Sequence, residues 1–136
     1  MTPQQMAQIH AQCFSQPRPW SVQEFIDLLE SNTVYQCARE QGFALGRIAG
    51  PEVELLTLAV DPEHRRQGVA QALMKDFETQ AKARGASDAF LEVAQDNTAA
   101  TALYQQLGFT QAGYRKDYYA GPKGIRICAL VMTKTL

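Results

Sequence analysis

The chain has 136 residues, 46% of them hydrophobic and 20% charged, with a formal net charge of -1. That length fits a single domain over residues 1–136, with enough apolar material to bury a core without metal or disulfide support. The near-zero charge argues against a nucleic-acid or membrane-surface partner, and no apolar run approaches the ~18 residues of a transmembrane helix. Met1 to Ile9 is polar, so no secretory signal is expected there. Three cysteines, Cys13, Cys37 and Cys128, are odd in number and widely spaced, which fits a reduced, cytoplasmic chain better than a disulfide scaffold. His10 and His64 stand far apart with no cluster at ligand spacing, so no metal is expected.

The first element is a helix from Thr2-Pro3-Gln4-Gln5, a capping box with proline at the first helical position. Met6, Ile9, His10, Cys13 and Phe14 follow at helical spacing, and His10 reads as a helix-face residue. Pro17 and Pro19 break the chain. Ser21-Val22-Gln23-Glu24 is a second capping box, flanked by Trp20 and Phe25 in the positions of a hydrophobic staple, and its helix runs to Ser31-Asn32. Thr33–Arg39 and Phe43–Ile48 read as a hairpin around Glu40-Gln41-Gly42. After Gly50-Pro51 comes a strand, Val53–Val60, apolar enough towards its end to be buried on both faces.

Asp61-Pro62 ends that strand, and the periodicity predicts a helix over Gln67–Ala83. Its stripe is Val69, Ala70, Leu73, Met74, Phe77 and Ala81, while Lys75, Asp76, Glu78 and Lys82 face water and Gly85 stops it. A short strand, Ala89–Ala94, precedes a helix capped by Asn97 and ended by Gly108. Phe109–Tyr118 and Ile125–Thr133 read as two last antiparallel strands across an Ala120–Gly124 loop. Strand, helix and strand from Val53 to Val93 make a right-handed parallel crossover between antiparallel hairpins. The fold class is therefore α/β (α+β): a mixed sheet with helices on both faces. The Ile125–Thr133 strand is read as an exposed edge able to pair with a second copy, giving a monomer or weak homodimer.

One stretch carries chemistry on physical grounds. Between a strand and a helix stands Val60-Asp61-Pro62-Glu63-His64-Arg65-Arg66-Gln67-Gly68-Val69-Ala70. Free N–H groups at a helix N-terminus, with the helix dipole behind them, favour an anion. Gly68 permits close backbone approach to a pyrophosphate, Ala70 is small, and Arg65 and Arg66 add charge. The alternative is a plain strand-to-helix turn with a solvated basic pair, and His64 beside it is most simply solvated.

Arg65-x-x-Gly68-x-Ala70 resembles the signature of the GNAT superfamily of acetyltransferases. Leu58-Ala59-Val60-Asp61-Pro62 resembles that family's fourth strand, and Asn97-x-x-Ala100-x-x-Leu103-Tyr104-x-x-Leu107-Gly108-Phe109 its second motif. Pro19-Trp20-Ser21, Leu91-Glu92-Val93, Asn97 and Tyr118-Tyr119 resemble the RimI branch, the ribosomal-protein-alanine N-acetyltransferases. The resemblance implies a GNAT fold with one mixed, mostly antiparallel sheet of about six to seven strands. It implies an enzyme using acetyl-coenzyme A as donor, acting by direct attack in a ternary complex. The acceptor is a protein or peptide N-terminal amine, or alternatively a small-molecule amine. A third reading is a non-catalytic acyl-coenzyme A binding module.

Site roles follow from the same resemblance. Backbone groups of Leu58, Ala59 and Val60 would pair with the pantetheine arm, an N–H near Val60 polarising the thioester carbonyl. N–H groups across Arg66, Gln67, Gly68, Val69, Ala70 and Gln71 would hold the pyrophosphate, with Arg65 beside them. Asn97 would contact the pantetheine, or simply cap its helix. Glu92 would be the general base and Tyr104 the general acid; the plain alternatives are an exposed sheet-face carboxylate and a core aromatic. Trp20 lines the substrate entrance in that branch, or serves as the staple. Tyr118 and Tyr119 alternate across a strand, so one is expected to face the acceptor groove and the other to pack. No cysteine lies in either motif, so a covalent acetyl-cysteine has no support. The branch usually carries an arginine where this chain has Ala94, and a Glu-Asp pair where it has Ile127-Cys128. Acidic residues there would draw a cationic N-terminus, so these departures bear on the acceptor and not on the cofactor.

Overall fold

The computed structural model describes residues 1–14 and 18–136, without the side chain of Pro122; the chain break expected at Pro17 lies outside the described residues. Two reciprocal caps open the first two helices. Thr2 Oγ1 accepts the Gln5 N–H, and Gln5 Oε1 accepts the Thr2 N–H, at the head of α1 (Pro3–Cys13). Ser21 and Glu24 do the same for α2 (Val22–Glu30). The Trp20 and Phe25 rings meet at 5.6 Å, as a staple should.

The rest of the chain gives β1 (Val34–Arg39), β2 (Gly42–Ala49), β3 (Glu52–Val60), α3 (Val69–Ala83), β4 (Asp88–Ala94), α4 (Thr98–Gln106), β5 (Thr110–Ala120) and β6 (Arg126–Thr135). The strands form one sheet in the order β1-β2-β3-β4-β6-β5. Every neighbouring pair is antiparallel except β3 and β4, joined by the expected crossover through α3. One core gathers α3 and α4 on the sheet around Leu73, Phe77, Leu91 and Tyr104. A second gathers α1 and α2 around Met6, Phe25 and Phe43. Tyr35 locks the first core: its hydroxyl donates to the Phe77 carbonyl at 2.7 Å, and its ring lies where a Cβ on Gly46 would stand.

Three expectations are corrected. The last strand, β6, is not an edge: it pairs with β4 on one side and β5 on the other, so β5 is the edge. Asp76 and Glu78 do not simply face water; they are half-buried in ion pairs with Arg39 at 2.7 Å and Lys134 at 2.8 Å. The third helix starts at Val69 and not at Gln67, because Arg66 and Gly68 take left-handed conformations, φ 63° and 77°, that no right-handed helix contains.

Towards its end β3 packs against apolar cores on both faces, and it does so through an irregularity in the strand. Leu45 stands opposite Thr57, and the next β2 residue, Gly46, opposite Leu55, so Leu56 is an extra residue in the strand. Such a bulge resets which side chains point where and twists the strand away from its neighbour. Before it, Val53 and Leu55 join the α3 core; after it, Leu58 and Val60 do, while Ala59 joins the α1–α2 core. Parallel pairing with β4 stops at Leu55 opposite Leu91, although the strands continue to Val60 and Ala94. Beyond that point β3 stays with β2 and β4 stays with β6, and the sheet opens between them.

Candidate active site

The opening leads into a groove of about 1100 Å³. Its backbone wall is the free edge of β3. The Asp61 N–H donates to the Gln41 carbonyl at 2.7 Å, towards β2. Successive N–H groups of a strand point to opposite edges, so those of Val60 and Leu58 turn towards the opening and that of Ala59 towards β2. Leu58, Ala59 and Val60 all line the groove.

At the end of that wall sits the loop before α3. Gly68 is its N-cap and offers no side-chain cap, and the first intrahelical bond runs from the Ala72 N–H to the Gly68 carbonyl at 3.0 Å. The N–H groups of Val69, Ala70 and Gln71 thus lack helical partners. A Cβ built on Gly68 would meet nothing within 4 Å, so the space above this backbone is open to a ligand. Arg65 and Arg66 are exposed, line the groove and form no ion pair among the described residues. Gly68, Val69, Ala70 and Gln71 line it as well, whereas the exposed Gln67 does not. Across the groove, Asn97 Oδ1 accepts the Ala100 N–H at 3.1 Å; it caps α4 and also lines the groove. His64, expected in solvent, is half-exposed and lines it too.

The side-chain walls bring Glu92 and Tyr104 to this groove from β4 and α4. Tyr104 is 7% exposed and packs edge-on to Phe109, ring centroids 6.0 Å apart. Burial holds its proton well above the ordinary phenol range. Glu92 is paired: Arg115 of β5 places Nη2 3.0 Å from its Oε1. The Arg115 guanidinium also covers the Tyr118 ring at 5.3 Å. The expected alternation of Tyr118 and Tyr119 is overturned, because both line the groove. Between Arg115, opposite Ala129, and Tyr119, opposite Ile127, β5 carries two residues more than β6, with Asp117 at φ 53°. Arg126 Nε holds this bulge by donating to the Asp117 carbonyl at 3.0 Å. The bulge breaks strand periodicity and turns both rings inward, 5.0 Å apart and edge-to-face. Burial first, then the charge of Glu92, pushes the Tyr119 hydroxyl up to about 12, Arg115 opposing.

Three residues at or beside the groove were not foreseen. His10 lies buried on the inner face of α1; its ring stacks on Phe14 at 4.3 Å and Trp20 at 5.0 Å. Its Nδ1 accepts the Trp20 N–H at 3.1 Å, which leaves Nε2 to donate to Thr57 Oγ1 at 3.2 Å. Burial lowers it to about 4, against a smaller upward pull from Glu24, so the ring is neutral at pH 7. Trp20 is therefore both staple and groove wall. Cys13, outside both motifs, also lines the groove and donates from Sγ to the Val60 carbonyl at 3.2 Å. Arg115, which pairs with Glu92 from outside the groove lining, is the third. All three depend on contacts between elements distant in the chain, which no local pattern marks.

Among the described residues no helix is long and apolar enough to cross a membrane, and no group of three His, Cys, Asp or Glu side chains stands at metal spacing. The Acetyltransferase (GNAT) family matches residues 4–109. A ribosomal protein bS18-alanine N-acetyltransferase of Escherichia coli is 34% identical over 118 residues, 84% of this chain and 79% of that one. One from Haemophilus ducreyi is 43% identical over 90 residues, 66% of this chain and 62% of its own length. The crystal structure of the ribosomal-protein-S18-alanine N-acetyltransferase from Escherichia coli superposes with a TM-score of 0.81 at 30% identity, covering 95% of this chain and 85% of that one.

Proposed function

The chain belongs to the GNAT acetyltransferase family, whose donor is acetyl-coenzyme A, and from that premise we propose that it acetylates the N-terminal α-amine of a protein or peptide. The observation that carries the reading is the opening of the sheet beyond Leu55 and Leu91 onto the uncapped start of α3. The open space above Gly68 fits a pyrophosphate, and the free strand edge fits an extended arm with amide groups. The relative acting on a ribosomal-protein alanine supports the choice of acceptor.

When bound, acetyl-coenzyme A supplies an activated thioester. The N–H groups from Arg66 to Gln71, with Arg65 alongside, hold its pyrophosphate; Gln67 contributes backbone only. Leu58 and Val60 pair with the pantetheine arm through their outward N–H groups, the latter polarising the thioester carbonyl. Ala59 supplies the packed surface behind them, and Asn97 offers its free amide donors. Glu92 takes the proton from the acceptor ammonium, directly or through water, so that a neutral amine attacks. Tyr104, whose proton burial retains at pH 7, gives it to the departing sulfur. Trp20, Tyr118 and Tyr119 form the walls against which the acceptor's first residues lie. The reading includes a cytoplasmic setting, supported by three free cysteines.

Calorimetric titration with acetyl-coenzyme A, followed by thiol release on adding an alanine-initiated peptide and then a panel of small amines, tests it. Binding with peptide-dependent release is the expected outcome. Release on small amines alone would move the protein to another acceptor class, and absence of binding would overturn the donor-site assignment.

A further inference from the structure

Two carboxylates on the strands line the groove, and each already carries an arginine. Glu54 of β3 pairs with Arg47 at 2.8 Å, and Glu92 of β4 pairs with Arg115 at 3.0 Å. The Arg115 pair is a built arrangement: its guanidinium packs over Tyr118, and the Arg126 contacts to the Asp117 and Tyr118 carbonyls fix the bulge that aims this region. The remaining charged lining is mostly cationic, from Arg18, Arg65 and Arg66, with Asp96 after the end of β4. Acidic side chains that would attract an ammonium are missing at Ile127 and Cys128.

We propose that Arg115 determines which amines the site accepts. By pairing with Glu92 it leaves no unpartnered carboxylate on the strand walls, so the site gains little from an ammonium's charge and prefers an amine that gives up its proton to Glu92 easily. At neutral pH roughly one α-amine in ten is uncharged, but only about one lysine side chain in 2,500. A site that does not reward the cation therefore favours α-amines over lysines. Without Arg115, Glu92 would hold the ammonium form by simple attraction and narrow that preference. Arg115 thus acts through Glu92, as a positioning residue. The inference rests on the acceptor-side role of Glu92 proposed above.

The test uses two peptides of one sequence, one beginning with a trimethylammonium group and the other with the neutral tert-butyl group of the same shape. Both are titrated into the full chain with coenzyme A present. The wild-type protein is expected to bind them within about threefold, since a screened, half-exposed pair leaves little net charge. Arg115→Met should favour the cationic peptide by about tenfold, and Arg115→Lys, which restores charge without the planar stack, should return the ratio. A tenfold cation preference in the wild type, or an unchanged ratio in Arg115→Met, overturns the proposal. Should Arg115→Met not fold, Glu92→Gln gives the converse: the cationic peptide should then bind about tenfold more weakly than the neutral one, and an unchanged ratio overturns the proposal. If neither peptide binds while small amines are acetylated, the peptide reading falls. Choline against 3,3-dimethylbutanol then gives the same ratio and decides the role of Arg115.

Discussion

The two ends of the groove are built from different materials. The donor end is backbone: the free edge of β3 and the uncapped start of α3, with one glycine essential to its shape. The acceptor end is side chains drawn from four elements and the α1–α2 loop: His10, Trp20, Glu92, Tyr104, Arg115, Tyr118 and Tyr119. Backbone can bind a ligand common to many relatives whatever the surrounding sequence. Side chains can be exchanged one at a time, so selectivity is concentrated there. The two ends should thus fail separately, donor affinity on one side and acceptor use or protonation on the other.

The largest expected effect tests whether chemistry separates from donor binding. Tyr104→Phe should lower kcat by roughly 10²–10⁴-fold, the range for a lost general acid, with acetyl-coenzyme A binding unchanged in calorimetry. Loss of both together would show that Tyr104 serves the donor end instead. Next is acidification, which should strike the acceptor end through His10. Its folded value of about 4 lies below the 6.5 of an unconstrained imidazole, so the fold prefers the neutral ring. The resulting stability is complete above pH 6.5 and declines as pH falls towards 4, by about 3 kcal/mol. Urea midpoints measured at pH 7 and 4.5 read this, and His10→Gln should flatten the difference. Gly68→Val affects only the donor end: a β-branched residue at φ 77° costs about 1–2 kcal/mol. The Kd for acetyl-coenzyme A should rise about tenfold while the acceptor KM holds. The smallest is Tyr118→Ala, which removes a 45%-exposed ring. It should raise the peptide KM by about 2–10-fold and leave donor affinity alone.

What the sequence revealed follows the same division. Caps, the crossover helix and the Arg65–Ala70 loop were legible because each depends on residues a few positions apart. The Leu56 bulge was not, since an extra residue shows only when two strands are set in register. Val53–Val60 reads as uniformly apolar for the same reason: its side chains change faces midway and continue to meet apolar surfaces. Tyr118 and Tyr119 were assigned to opposite faces by an alternation that the β5 bulge cancels. His10 looked like an ordinary helix residue because its partner, Thr57, is on β3. Glu92 and Tyr104 reach the groove as their motifs implied, but the Arg115 contact that conditions Glu92 crosses β6 and leaves no local trace.

The position of β6 also sets an order of events during folding. β5 has no strand neighbour except β6, which follows it in the chain and inserts between it and β4. Until β6 arrives, β1 to β4 and the α3 loop can already be in place, whereas Arg115, Tyr118 and Tyr119 hang on an unpaired segment. The β5 part of the acceptor wall therefore cannot be seated before β6 is in place. A chain stopped before Arg126 would keep His10, Trp20 and Glu92 but would lack the strand that seats Arg115, Tyr118 and Tyr119.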